Sequence, residues 1–546
     1  MGSRAGGSNR GGVARPSRRQ LTLWLRSRAG HAVVAALALG VVGYVIAYPL
    51  AVVRYPPMTD LPFHAASTSI LRHYFDPAFG FREQFGIHLL EVPYVSMYLL
   101  GALFALVLPI SVAVKVSAAV MLALLPAGLA VLFAGMKKTP LWGLLGLGLV
   151  WTNLTHWGFL NFMGAIGLYA MSLGLTLMVV DRPTRRRQLA LALCLLAVFF
   201  THVYRYPFAL LSCVGVGVFM WPATRRFLPL VWPLVPSLTV FGAWQWVRSD
   251  AIGGPTPKLA LHPNRMAELP DHVVSGFVGP VGQQEQALFA AAVGALWVVA
   301  FTALAWFFWF GRHRRRSGRE VWWGASVTLL PLILAGAYLL TYLVLPMEIG
   351  LWWYVYPREA TTAIYIALAA VPDMPRQWWL RLPLVVIVGV ATGRVGFLVA
   401  EQYFAFAQQT KDFEAVVAHI PQRPKLSYLV FDHDGSFRRT TPFIHLPAWV
   451  QAEKGGTLSF HFVAWHHSPI RYREGSPHVP PPTPLRWEWT PQRFRMQQHG
   501  AFFDEFLVRR HSDPSNLFAS DPSVRLVVNE GAWWLFRRQA RSEPQD

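Results

Sequence analysis

Apolar and polar positions do not alternate finely along this chain; they come in blocks. Crossing a bilayer as a helix takes about 20 apolar residues. About a dozen stretches approach that length: 32–53, 91–109, 111–135, 140–156, 158–180, 188–202, 206–222, 228–247, 286–310, 321–345, 359–371 and 382–400. The pattern predicts a mainly α, polytopic transmembrane helical bundle of about 11–13 apolar segments over residues 32–400. Residues 1–31 are rich in Gly, Ser and Arg and are expected to be a disordered basic terminus. After residue 400 the pattern changes. Glu401 to Ile420 is an amphipathic helical pattern, Leu426 to Phe431 and Leu458 to Val463 read as strands, and Val524 to Arg537 reads as a hairpin turning at Asn529-Glu530-Gly531. Residues 401–546 are thus expected to form a small, soluble α/β domain outside the cytoplasm.

Charge orients this layout. Of the 546 residues, 54% are hydrophobic and 14% charged, well below the roughly 25% charged residues of a soluble chain. The formal charge is nevertheless +21. The basic residues sit between apolar blocks, at Arg182 with Arg185 to Arg187, at Arg225 and Arg226, at 312–319, and at Arg376 and Arg381. That placement marks cytoplasmic loops of a membrane protein and excludes nucleic acid as the partner. It predicts a cytoplasmic N-terminus and places the loops 54–90, 248–285 and 346–358 on the outer side. Lys137 and Lys138 should then be inside, which leaves one net crossing between residues 54 and 136 where two apolar blocks lie. A re-entrant element in place of one of them satisfies the count. With 42 of the 49 basic residues Arg, the composition is that of a GC-rich bacterial genome, and the bilayer is taken as a bacterial inner membrane. Cys194 and Cys213 both fall inside apolar blocks and read as packing residues.

The candidate chemistry lies at the outer ends of the apolar blocks. Asp60, Arg72, Glu83, Glu91, Arg205, Arg248, Glu348, Arg358 and Glu359 cluster there, while the block middles hold few charges, Lys115 among them. An ion-coupled transporter would keep carboxylates near the midplane. A guanidinium fork suits phosphate oxygens, so arginines at that depth point to an anionic, lipid-linked substrate. In the first outer loop, Asp60 before Leu61-Pro62 reads as a helix N-cap. Phe63, Ala66, Ile70 and Tyr74 then share one face, predicting a helix lying in the membrane interface. Asp432-His433-Asp434-Gly435 reads as a turn, and His466-His467 lacks a partner at metal-ligand spacing.

Several short segments carry a family resemblance: Thr59-Asp60-Leu61-Pro62-Phe63-His64, Gly158-Phe159-Leu160-Asn161-Phe162, Thr201-His202-Val203-Tyr204 and Pro357-Arg358-Glu359. Phe503 to Arg509 and Gly531 to Arg537 complete the set. In their order along the chain they resemble the GT-C superfamily of membrane glycosyltransferases, especially its uncharacterised bacterial members. The resemblance implies a polyprenyl-phosphate-linked sugar as donor, no further cofactor, no metal, and an envelope glycan, lipid or protein as acceptor. It implies Asp60 as the catalytic carboxylate, supported by His64, and a phosphate role for Arg358. Arg72, His156, Asn161, His202, Arg205 and Glu359 are the further candidates for substrate contact. The alternative from a different class is a non-enzymatic polytopic protein, either a transporter of an anionic lipid or glycan or an envelope scaffold.

Overall fold

The computed structural model describes residues 18–248, 259–274, 276–310, 317–349, 353–435, 437, 439–464, 468–484 and 486–539. Five helices among them contain stretches long and apolar enough to cross a membrane: Arg28–Ala51, Ile110–Gly135, Leu160–Asp181, Gly318–Val344 and Trp378–Gln409. Arg185–Thr201, Tyr206–Phe219, Val231–Arg248, Gly279–Phe310 and Val355–Ala367 are further helices on the predicted blocks. The first helix starts at Arg18, so 18–31 is helical where disorder was expected. From 18 to 29 the chain has no Gly or Pro to oppose helix formation. Residues 1–17, Arg312, Arg314 to Arg316, Lys258, His466 and His467 lie outside the described residues.

Two predicted spans take other forms. In 91–109 only Ser96–Phe104 is helical, and nine residues reach about 14 Å, under half a hydrocarbon core. Lys115 Nζ, early in the next long helix, donates to Val53 O (2.9 Å) at the end of the first. That long helix therefore starts at the level where the first one ended, so the short helix between them makes no net crossing. In 140–156 the chain forms a 3-10 helix, Pro140–Leu149, followed by Asn153–Trp157. Its ends are nonetheless far apart in level: Thr139 N donates to Asp373 Oδ1 (2.8 Å), while His156 O accepts from Thr59 N (3.0 Å). The steeper rise of a 3-10 helix, about 2 Å per residue, makes that reach possible with few residues.

The basic loops gather at one end of the bundle. Lys137 Nζ pairs with Asp181 (2.8 Å), Arg226 donates to Asp181 O, and Lys138 Nζ donates to Val371 O (2.7 Å). His31 Nε2 donates to Arg376 O (3.3 Å), bringing the first helix and Trp378–Gln409 to the same level. The bundle centre is the contact between Ile110–Gly135 and Leu160–Asp181. A side chain at Gly128 would strike the Gly167 backbone, and one at Gly135 the Gly174 backbone. Glycines seven residues apart on both helices thus let the backbones touch, which drives helix association where lipid offers no hydrophobic gain.

Seven strands are described: β1 Phe85–Ile87, β2 Lys425–Val430, β3 Thr457–Leu458, β4 Ile470–Tyr472, β5 Glu505–Arg509, β6 Val524–Glu530 and β7 Trp533–Arg538. Five of them form one sheet in the order β3-β2-β5-β7-β6. β2 runs parallel to β3 and β5, and β7 is antiparallel to both of its neighbours. Trp378–Gln409 continues unbroken through residue 400, so the change of composition there falls inside a helix. The strand expected over 458–463 stops at Leu458, because Phe460, His461 and Phe462 turn to surround the Phe63 ring at 5.7, 5.0 and 4.4 Å.

Strand pairing and helix packing are among the contacts that join this sheet domain to the first loop. β1 pairs antiparallel with β4, Phe85 opposite Tyr472. The helix Leu61–Arg72 packs against Ala448–Lys454 on one side and against Ser96–Phe104 and Ile110–Gly135 on the other. Every residue from Leu61 to Ile70 is buried. An interfacial helix would keep one wet face; this one is roofed by the sheet domain instead.

Candidate functional site

Asp60 is fixed by backbone. Its N–H donates to Trp157 O (3.1 Å), just before Gly158, which sits at φ 92°. A Cβ on Gly158 would lie 3.0 Å from both Asp60 Cβ and Asp60 N, so the turn approaches Asp60 as closely as only glycine permits. The Asp60 carboxylate does not cap the helix it precedes. It turns to His445, whose Nδ1 lies 3.3 Å from Asp60 Oδ1 and 3.1 Å from Thr59 O. Both neighbours are acceptors, so Nδ1 carries the proton. Thr59 Oγ1 adds a hydrogen bond to Thr440 O. The Asp60 side chain keeps 16% exposure while His445 behind it keeps 5%.

His64 does not touch the Asp60 carboxylate, contrary to the simplest expectation from one-turn spacing. Its Nε2 donates to Gly158 O (3.1 Å), which leaves Nδ1 to accept from the Tyr98 hydroxyl (3.0 Å). Burial lowers its pKa, although the Asp60 charge pulls the other way. His64 thus holds the Gly158 turn that in turn holds Asp60.

Arg358 lies within electrostatic reach of Tyr94, Glu359 and Asp60, in that order of strength. Its Nη2 donates to Trp353 O (3.1 Å), and the guanidinium lies over Phe159 at 4.3 Å. Nε is buried without a partner, and no described carboxylate forms an ion pair with this arginine. The His202 ring packs against Tyr94 (5.3 Å) and Phe162 (5.4 Å), and Asn161 is fully buried beside the Tyr94 hydroxyl. Asp60, Tyr94, Asn161, His202 and Arg358 therefore face a common region under the sheet domain.

Four other candidates are engaged by protein groups, the first two at the edge of the same region. Arg205 and Glu359 form a bidentate pair, Nη1 to Oε2 at 3.0 Å and Nη2 to Oε1 at 2.8 Å. Arg72 Nε donates to Ala105 O (3.2 Å) and closes the end of the short helix Ser96–Phe104. The His156 ring is walled by Phe277, Phe437 and Tyr403 at 5.2, 5.8 and 6.0 Å; only its carbonyl touches the Asp60 segment. Asp432 Oδ2 accepts from His511 N (2.9 Å), 79 positions along the chain, so this Asp ties two distant segments together where a local turn was expected. Tyr94 and His445 are the residues that sequence reasoning missed. A lone His in the apolar run Phe443-Ile444-His445-Leu446 reads as a core residue, and its partner Thr59 is 386 positions away.

No family model and no curated protein matches the chain. Among solved structures it is similar to ArnT from Cupriavidus metallidurans in the apo state, at 14% identity and a TM-score of 0.49 over 96% of this chain and 100% of that one. The same protein bound to undecaprenyl phosphate gives the same identity, coverage and TM-score. At that level the likeness assigns no residue a role. What the fold and site define together is a multi-pass helical membrane protein with a polar site at one end of its bundle, covered by a sheet domain.

Proposed function

We propose that this protein is a GT-C-like membrane glycosyltransferase that moves a sugar from a polyprenyl-phosphate donor to an envelope acceptor. The observation that carries the reading is a carboxylate released from capping and held by His445, with an arginine lacking a carboxylate partner within its field. Asp60 removes the proton from the acceptor hydroxyl as that oxygen attacks the anomeric carbon. The bond from that carbon to the donor's phosphate oxygen breaks, and its electron pair leaves with the lipid phosphate. Arg358 binds the phosphate oxygens and stabilises that charge. Tyr94, Asn161 and His202 supply polar contacts to the sugar. Arg72, His156, Arg205 and Glu359 have structural roles. Because basic loops mark the cytoplasmic face, the gathered basic end is inside and the sheet domain faces the periplasm of a bacterial inner membrane.

Donor binding tests the phosphate role. Titrating purified protein with a polyprenyl phosphate should show Arg358→Ala binding about tenfold or more weakly, as befits a lost charge-assisted hydrogen bond. Arg358→Lys should fall between, keeping the charge without the fork. Equal binding by wild type and Arg358→Ala would remove Arg358 from the phosphate site.

His445 is a positioning residue for Asp60. His445→Leu is expected to slow turnover about tenfold with the donor KM little changed, since one hydrogen bond to a charged group is lost. His445→Asn places an amide N–H near the Nδ1 position and should recover much of that loss. A merely structural His445 would show no such rescue.

A further inference from the structure

A second charged feature lies outside this site, on the lipid-facing side of the bundle. The first helix and Trp378–Gln409 run side by side. They touch where Gly396 meets Val45 and where Gly389 meets Val41. Between those contacts is a groove of about 290 Å³ lined by Tyr44, Val390, Gly393, Arg394 and Phe397. Tyr44, Val390, Arg394 and Phe397 are all exposed. Arg394 makes no hydrogen bond or ion pair with any described residue.

An arginine on a spanning helix is costly unless it finds a partner. Depth identifies the partner. Arg394 follows Trp378 by 16 residues, about 24 Å along the helix axis. Trp378 itself packs at Gly30, near the basic end of the bundle. Arg394 Cα therefore lies within a few ångströms of the far edge of a roughly 30 Å hydrocarbon core, within snorkelling reach of the headgroups of the opposite leaflet for a long Arg side chain. The groove holds an arginine and a tyrosine hydroxyl for phosphate oxygens, and no carboxylate lines it to receive a headgroup ammonium. The charge balance therefore selects a net-negative headgroup over a zwitterionic one.

We propose that this groove is a binding site for one anionic phospholipid of the leaflet on the sheet-domain side, its phosphate on Arg394 and an acyl chain along Val390 and Phe397. The site stands apart from Asp60 and Arg358 and does not depend on the proposed reaction.

Native mass spectrometry of the detergent-purified protein with equal amounts of phosphatidylglycerol and phosphatidylethanolamine tests it. Wild type should retain one phosphatidylglycerol in preference, and Arg394→Leu should lower that retention about tenfold. Gly393→Leu keeps the charge but fills the groove floor, and should also lower it. Arg394→Lys should hold an intermediate amount, a result that stays readable if the Leu variant folds poorly. Undiminished preference in Arg394→Leu and in Gly393→Leu, or equal retention of both lipids by wild type, would overturn the proposal. Millimolar inorganic phosphate should leave the lipid bound; displacement by phosphate alone would mean that the groove reads a free anion and not a lipid.

Discussion

Asp60→Asn is expected to fold and accumulate like wild type yet transfer sugar about a hundredfold more slowly, or worse. The two halves of that result have separate causes. The Asp60 side chain makes no cap hydrogen bond, so the helix Leu61–Arg72 loses nothing at its N-terminus. The position is fixed by its backbone bond to Trp157 O, and Asn keeps that. Asn Oδ1 can also still accept from His445 Nδ1. What the amide cannot do is take a proton from an attacking hydroxyl. Thermal unfolding in detergent and initial transfer rates at matched protein concentration check the two halves separately. A large drop in Tm would mean that the carboxylate holds the fold, and near-normal transfer would mean that it is not the base.

The second large effect is on stability. Arg205 and Glu359 keep 3% and 8% side-chain exposure, and two parallel hydrogen bonds pair their charges. Removing either partner leaves the other buried and unpaired, a cost of about 3–5 kcal/mol in buried pairs. Arg205→Leu and Glu359→Leu should therefore each lower Tm sharply. The double variant should recover much of the loss, because a buried pair replaced by apolar groups is often neutral. Arg205 also lies against Phe162, Phe208 and Tyr338 at 4.9, 5.3 and 5.2 Å, so some loss remains in the double variant. If the double variant is as unstable as the two singles combined, the pair is not the interaction that matters there.

The membrane bundle was legible because apolar block length reports directly on bilayer thickness. Where the reading departed, hydropathy was blind to backbone geometry. It could not separate a 3-10 helix over Pro140–Leu149 from an α-helix, nor tell that only Ser96–Phe104 of a longer apolar block is helical. Asp60 and Arg358 could be singled out because each lies near the outer end of an apolar block, Asp60 two residues before Pro62 and Arg358 directly after Pro357. Pairing could not be found. Arg205 and Glu359 are 154 positions apart and looked like two substrate contacts until the fold set them against each other. His445 is farther still from Asp60, and nothing local marks it. The interfacial helix was misjudged for a related reason: its own periodicity shows one apolar face, while its burial comes from Ala448–Lys454, far along the chain.

If the proposed reaction is right, lipid phosphate is the leaving group on the side of the membrane that carries the sheet domain. That reaction is tested most directly by reconstituting wild-type protein in one orientation with a radiolabelled polyprenyl-phosphate sugar and a crude envelope acceptor fraction. Label should move to the acceptor, and free polyprenyl phosphate appear in equal amount, only when acceptor is supplied on the sheet-domain side. Folded protein that leaves the donor intact with acceptor on both sides, or that transfers equally well from the basic side, would contradict it.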